Sequence, residues 1–129
     1  MASHQILLAD DCQLVLQSLG PFLESQGYEV TTVDNGAEAA DLICQKNFDI
    51  VIADTHLRSL TGIEVFQEIK RVRPGTTAIL LTGSGDTAPF INMLRPDADD
   101  YLLKTFEPEE ICFRIKRCIE ILNLKKKFR

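Results

Sequence analysis

The stretch "DIVIADTHLRSLTG", Asp49 to Gly62, decides the architecture. Four consecutive apolar residues, Ile50 to Ala53, stand between two aspartates, and three of the four are β-branched. A strand with one wet face alternates apolar and polar residues. One that is apolar at every position is covered on both faces, as in a parallel sheet flanked by helices. Asp54 then stands where the strand should leave the core, and a polar loop carrying His56, Arg58 and Thr61 leads to Gly62. Thr61 and Glu64 have the spacing of a capping box, so a helix starts at 62.

The same strand–loop–helix unit recurs along the chain. "QILLAD" (5–10), "YEVTTV" (28–33), "DIVIAD" (49–54), "TAILLT" (77–82) and "DYLLK" (100–104) read as strands. Helical spacing predicts helices over 12–26, 36–46, 62–73, 87–95 and 107–128. Their ends carry recognisable signals: Gly27 as a left-handed cap, Asn35 ahead of the second, Pro74 after the third, Pro96 after the fourth and Pro108 opening the fifth. Five βα units in succession define an α/β domain, a doubly wound parallel sheet with helices on both faces. Ile6–Ala9, Ile50–Ala53 and Ala78–Leu81 are apolar throughout and belong in its middle, while the patchier second and fifth strands suit the edges.

A length of 129 residues suffices for one such core. The reading is a single domain over 1–122, with 123–129 a basic extension of the last helix and the start of a linker. Gly20 and Pro21 interrupt the first helix pattern and predict a bend there. In the last helix, Ile111, Ile115, Cys118, Ile119 and Leu122 form one apolar stripe; Ile121, Leu124 and Phe128 begin a second that suits a homodimer seam.

Several function classes are excluded or disfavoured. No apolar run reaches the ~20 residues of a membrane span, and "MASHQILLADD" lacks the basic start of a signal peptide. The four cysteines, Cys12, Cys44, Cys112 and Cys118, have no metal-like spacing and read as buried, reduced thiols of a cytoplasmic protein. Net charge is −5, and with four cations among the last five residues the remainder stands at −9. Such an acidic body does not bind nucleic acid directly, since backbone affinity needs clustered Lys and Arg.

In an open parallel sheet, sites form beyond the carboxyl ends of the strands. Those ends carry Asp10 and Asp11, then Asp54, Thr82 and Lys104. Taken singly, each has an ordinary explanation as a helix cap, a β-former or a solvated cation. Jointly they place three carboxylates, a hydroxyl and an ammonium on one rim. Clustered carboxylates demand a counter-charge, and Mg2+ matches a site of a few carboxylates and a phosphate oxygen. Asp54, the single acid at its strand end, is the candidate nucleophile for aspartyl-phosphate chemistry, with Asp10 and Asp11 better used for metal. Thr82 and Lys104 would meet the charge on a transferring phosphoryl group.

"ILLADD", "DIVIADTHLRSLTG", "AILLTG" and "DDYLLKTF", in that order and spacing, resemble the receiver domain of two-component response regulators over residues 4–122. The resemblance implies a flavodoxin-like sheet of order 2-1-3-4-5. It implies Asp54 as phosphoacceptor and Asp11 and Asp54 as direct Mg2+ ligands, with Asp10 acting through a metal-bound water. The backbone carbonyl of His56 would complete the ligands, Thr82 and Lys104 would bind phosphoryl oxygens, and Tyr101 would turn inward when Thr82 moves. The implied partner is a histidine kinase or a histidine phosphotransfer protein. The chain would not be a turnover enzyme; it would assist its own phosphorylation and dephosphorylation.

Two positions depart from the family pattern. Arg58 and Thr105 stand where the family has prolines, the second of them in a cis bond after the lysine. A cis bond before a non-proline residue costs about 3–4 kcal/mol, so a trans Lys104–Thr105 bond and a shifted loop are expected. A receiver-like interaction module that works without phosphorylation is the main rival reading. A flavin-binding protein of similar architecture is the second, and "DDCQ" after the first strand would repel its phosphate.

Overall fold

Ile6–Ala9, Ile50–Asp54 and Thr77–Thr82 are buried at every position in the computed structural model of the chain, which describes residues 4–83, 99–104 and 107–127, with side chains to 124. The strands are β1 (Gln5–Ala9), β2 (Glu29–Val33), β3 (Ile50–Asp54), β4 (Thr77–Thr82) and β5 (Asp100–Leu103). All pair in parallel in the order β2-β1-β3-β4-β5, with the two patchy runs at the edges. The helices are α1 (Gln13–Ser25), α2 (Gly36–Gln45), α3 (Gly62–Val72) and α4 (Pro108–Lys127). The helix expected over 87–95 lies outside the described residues.

Side chains alternate across a strand, so each fully apolar run feeds two cores. Leu7, Ala9, Val51, Ala53, Ala78 and Leu80 face α2 and α3, and meet Ala39, Ile43, Val65, Phe66 and Ile69. Ile6, Leu8, Ile50, Ile52, Ile79 and Leu81 face α1 and α4, and meet Leu16, Leu19, Leu23, Ile111, Ile115 and Cys118. Each of the larger side chains contributes roughly 1.5–3 kcal/mol by leaving water. The sheet is therefore fixed from both sides, and its carboxyl edge is a rigid platform.

The helix ends follow local chemistry. α1 closes on Gly27 at φ 97°, with the Gly27 N–H donating to the Glu24 carbonyl and the Tyr28 N–H to the Leu23 carbonyl. α3 opens with the capping box: Thr61 Oγ1 accepts from the Glu64 N–H and Glu64 Oε1 accepts from the Thr61 N–H, both at 3.2 Å. α1 runs through Pro21 as one helix. The proline lies on its exposed face, where water reaches the carbonyl that loses its N–H partner. Cysteine burial departs from expectation: all four are free, Cys112 and Cys118 are buried, but Cys12 is half-buried and Cys44 exposed. Ala39 and Ile43 set the buried face of α2, and Cys44 falls one residue off it. No described helix is long and apolar enough to cross a membrane.

Candidate functional site

β1, β3, β4 and β5 end side by side, and the rim residues are the first polar groups past each run. Asp10 still belongs to the ladder through its N–H, which donates to the Val33 carbonyl at 3.1 Å. Its carboxylate is wholly buried, and Oδ1 accepts from the Cys12 N–H at 2.9 Å, which turns the chain into α1. Asp54 is the last residue of β3 and is also buried, held by pairing opposite Leu81. Asp11 is half-buried beside them. Oxygen atoms of the three carboxylates lie within 4.8 Å of one another.

Lys104 reaches into this cluster. Its Nζ donates to Asp10 Oδ1 and to Asp54 Oδ2, each at 3.1 Å, and lies 3.0 Å from Asp10 Oδ2. The backbone that carries it is pinned to the next strand end, with the Lys104 N–H donating to the Thr82 carbonyl at 2.8 Å. The replacement of proline by Thr105 therefore leaves Lys104 in the rim; the Lys104–Thr105 bond itself lies outside the described residues. Thr82 is buried at the end of β4. Tyr101 is 37% exposed on the edge strand. His56 is exposed in the loop after β3.

The electrostatics are unbalanced. Burial pushes the Asp10 carboxyl above its ordinary value, against the N–H of Cys12 and the ammonium of Lys104, which both favour its charge. Burial also opposes the Lys104 charge, but hydrogen bonds and attraction from Asp10 and Asp54 outweigh it and raise that pKa. Among the described residues, the Lys104 ammonium is paired with two acids of this three-acid cluster. Asp10 Oδ2, although close to the ammonium, is buried and takes no hydrogen bond. Three converging carboxylates supply hard oxygen donors that fit a small divalent cation such as Mg2+.

Sequence reasoning brought Asp10, Asp11, Asp54, Thr82 and Lys104 to one rim, and the structure places them there. It missed the fastening of the loop between β3 and α3. The Arg58 carbonyl accepts from the Gly36 and Leu60 N–H groups, both at 2.8 Å, and Ser59 Oγ accepts from the Ala37 N–H at 3.0 Å. The Arg58 guanidinium is 68% exposed and 3.7 Å from Asp34, a surface pair worth little. No local signal marked Ser59, which takes φ 66°, a region favoured by Gly and Asn.

This combination of sheet order and acidic rim defines a class of signalling domain. The response regulator receiver domain family model matches residues 6–116, and the chain belongs to that family. It is 31% identical over 114 residues to the transcriptional regulatory protein SrrA of Staphylococcus aureus, covering 88% of this chain and 47% of SrrA. The chain thus spans about half the length of the curated relatives it matches. A CheY-like receiver domain protein from Methanospirillum hungatei JF-1 superposes with a TM-score of 0.86 at 28% identity, covering 99% of this chain and all of that one. The receiver domain of a sensor histidine kinase from Pseudomonas aeruginosa PAO1 does so with a TM-score of 0.81 at 27% identity, covering 92% and 99%. That crystal structure holds a magnesium ion coordinated in its active-site cleft.

Proposed function

We propose that this domain is a Mg2+-dependent phosphoacceptor, taking a phosphoryl group onto Asp54 from the phosphohistidine of a kinase or phosphotransfer protein. The observation that carries the reading is the surplus of acid at the rim: Asp10, Asp11 and Asp54 converge, and the Lys104 ammonium reaches two of them. Asp10, Asp11 and Asp54, with the His56 carbonyl, would hold the metal. Once bound, it would neutralise the incoming phosphoryl oxygens and the clustered carboxylates together.

The rest falls to the chain's own groups. An Asp54 carboxylate oxygen forms the new O–P bond as the P–N bond of phosphohistidine breaks and the imidazole leaves with its electron pair, to be protonated. Lys104, already 3.1 Å from Asp54, shifts its hydrogen bond to a phosphoryl oxygen without moving far. The Thr82 hydroxyl donates to another and draws the end of β4 towards the site. Tyr101, exposed here, turns inward behind it and converts the charge change into a new surface. The domain is no turnover enzyme; it assists one transfer and one hydrolysis at its own residue. The exposed Phe113 and Leu124 of α4 support a homodimer through the last helices.

Incubation with acetyl phosphate and Mg2+, followed by intact-mass measurement, tests the reading. The expected result is a gain of one phosphoryl group, lost on chelation of the metal and in Asp54→Ala. No gain under any small phosphodonor would sink it and leave the phosphorylation-independent interaction module, which Arg58 and Thr105 favour.

A further inference from the structure

The loop after Asp54 is fastened to a helix that contributes nothing to the acidic rim. A helix start leaves four N–H groups without intrahelical partners. In α2 the Gly36 N–H donates to the Arg58 carbonyl, the Ala37 N–H to Ser59 Oγ and the Glu38 N–H to Asn35 Oδ1, at 2.8, 3.0 and 2.8 Å. Two of the three caps therefore come from the phosphoacceptor loop, more than 20 residues away in sequence. Ser59 reaches its place at φ 66°, and the Leu60 N–H closes on the Arg58 carbonyl to make a three-residue turn around it.

The packing leaves no slack on either side of this turn. A Cβ on Gly36 would collide with the Leu60 carbonyl, and one on Gly62 with the Asp54 carbonyl. Arg58 has no ring to fix its φ, so the loop is stiffened by what it docks against. The geometry points to Ser59 as a positioning residue: by capping α2 it sets the 55–58 backbone against Asp54, and so sets the affinity of the rim for a divalent cation. This rests on the phosphoacceptor reading, through the His56 carbonyl that the same backbone carries. Linkage is reciprocal, so cation binding in turn tightens the first turn of α2. The helix start becomes a second reporter of site occupancy, on the opposite side of the sheet centre from Tyr101.

Two substitutions separate the hydroxyl from the turn. Ser59→Gly keeps a positive φ without strain but removes the cap. Ser59→Asn tolerates the same backbone and restores a side-chain acceptor that caps helices well. The measurements are Mg2+ affinity by calorimetry and amide exchange at Ala37 with and without Mg2+, core amides such as Ile52 reporting the integrity of the fold. Loss of one cap predicts about fivefold weaker Mg2+ binding in Ser59→Gly. Mg2+ should slow Ala37 exchange in the wild type and not in Ser59→Gly, and Ser59→Asn should recover most of both effects. Wild-type Mg2+ affinity in Ser59→Gly overturns the inference alone, as does a loss that Ser59→Asn leaves unrecovered. A wild type that binds no Mg2+ overturns the phosphoacceptor reading and this inference with it.

Discussion

Two lysines reach buried aspartates at opposite ends of one sheet, and they do different things. At the strand starts, Lys70 Nζ lies 2.8 Å from Asp99 Oδ2 and 4.6 Å from the centre of the Phe66 ring. Asp99 Oδ1 accepts from the Ala78 N–H at 3.0 Å, and nearby Asp49 Oδ2 accepts from the Gln5 N–H at 2.8 Å. Here each acid accepts an N–H at the start of a neighbouring strand, the first of β1 for Asp49 and the second of β4 for Asp99, and Asp99 is matched by a lysine. At the strand ends, Lys104 reaches Asp10 and Asp54, and Asp11 belongs to the same acidic cluster. A buried acid matched to its donors holds a fold together. A surplus of acids over donors costs stability and is kept for something that binds.

The sharpest way to break this comparison is to unmatch the matched end. Asp99→Asn removes the negative charge from the Lys70–Asp99 pair, and breaking a buried pair costs about 3 kcal/mol at the lower end of its range. Urea unfolding should show that loss; a midpoint equal to the wild type would mean the Lys70–Asp99 pair is ornamental. Lys104→Met at the other end acts on chemistry more than on folding. It removes a preorganised donor to the phosphoryl group, and about 100-fold slower phosphorylation by acetyl phosphate is expected. Single-turnover mass measurements would register it, and an unchanged rate would remove Lys104 from the reaction.

A smaller effect has the opposite sign to that of Asp99. Asp54→Asn loses one attraction, to Lys104, and relieves repulsion from both Asp10 and Asp11. Without Mg2+ the variant should be more stable than the wild type by about 1 kcal/mol, the scale of one close charge contact in a wet site. Destabilisation instead would show that the strand ends are as well matched as the strand starts, and the comparison would fail.

How far each end could be read from sequence differs for physical reasons. The strand ends were legible because an apolar run stops where the core stops, so Asp10, Asp54 and Thr82 were placed by the pattern that located the strands. Lys104 was legible for the same reason, although the sequence left its direction open. Asp99 was not, since nothing local distinguishes it from Asp100, which pairs with Arg114 at 2.9 Å. Its role depends on where α3 puts Lys70. Ser59 was hidden in the same way, because its partner is the start of α2 and its backbone takes a conformation that serine rarely signals. Residue type misled for Cys44, where helix phase decided exposure.

The weakest test lies beside the matched acids. Cys118, buried on α4, has its thiol pushed up to about 11, first by burial and then by the charges of Asp100 and Asp99. The unfolded chain's thiol ionises near the ordinary 9.0. Between about pH 9 and 11 the folded protein thus binds the proton that the unfolded chain releases, so the stability from this group is complete below that window and falls as pH rises through it. Cys118→Ala should remove that fall, read as the difference in urea midpoint between neutral and alkaline buffer. Alkylation gives the same contrast without a mutation: near pH 8 only about one in a thousand Cys118 thiols would be ionised, so iodoacetamide should modify exposed Cys44 well before it. Equal rates at the two cysteines would mean that the corner holding Asp99 and Asp100 opens to water. The charges there would then be as exposed as those at a binding rim, and matching would not be what separates the two ends of the sheet.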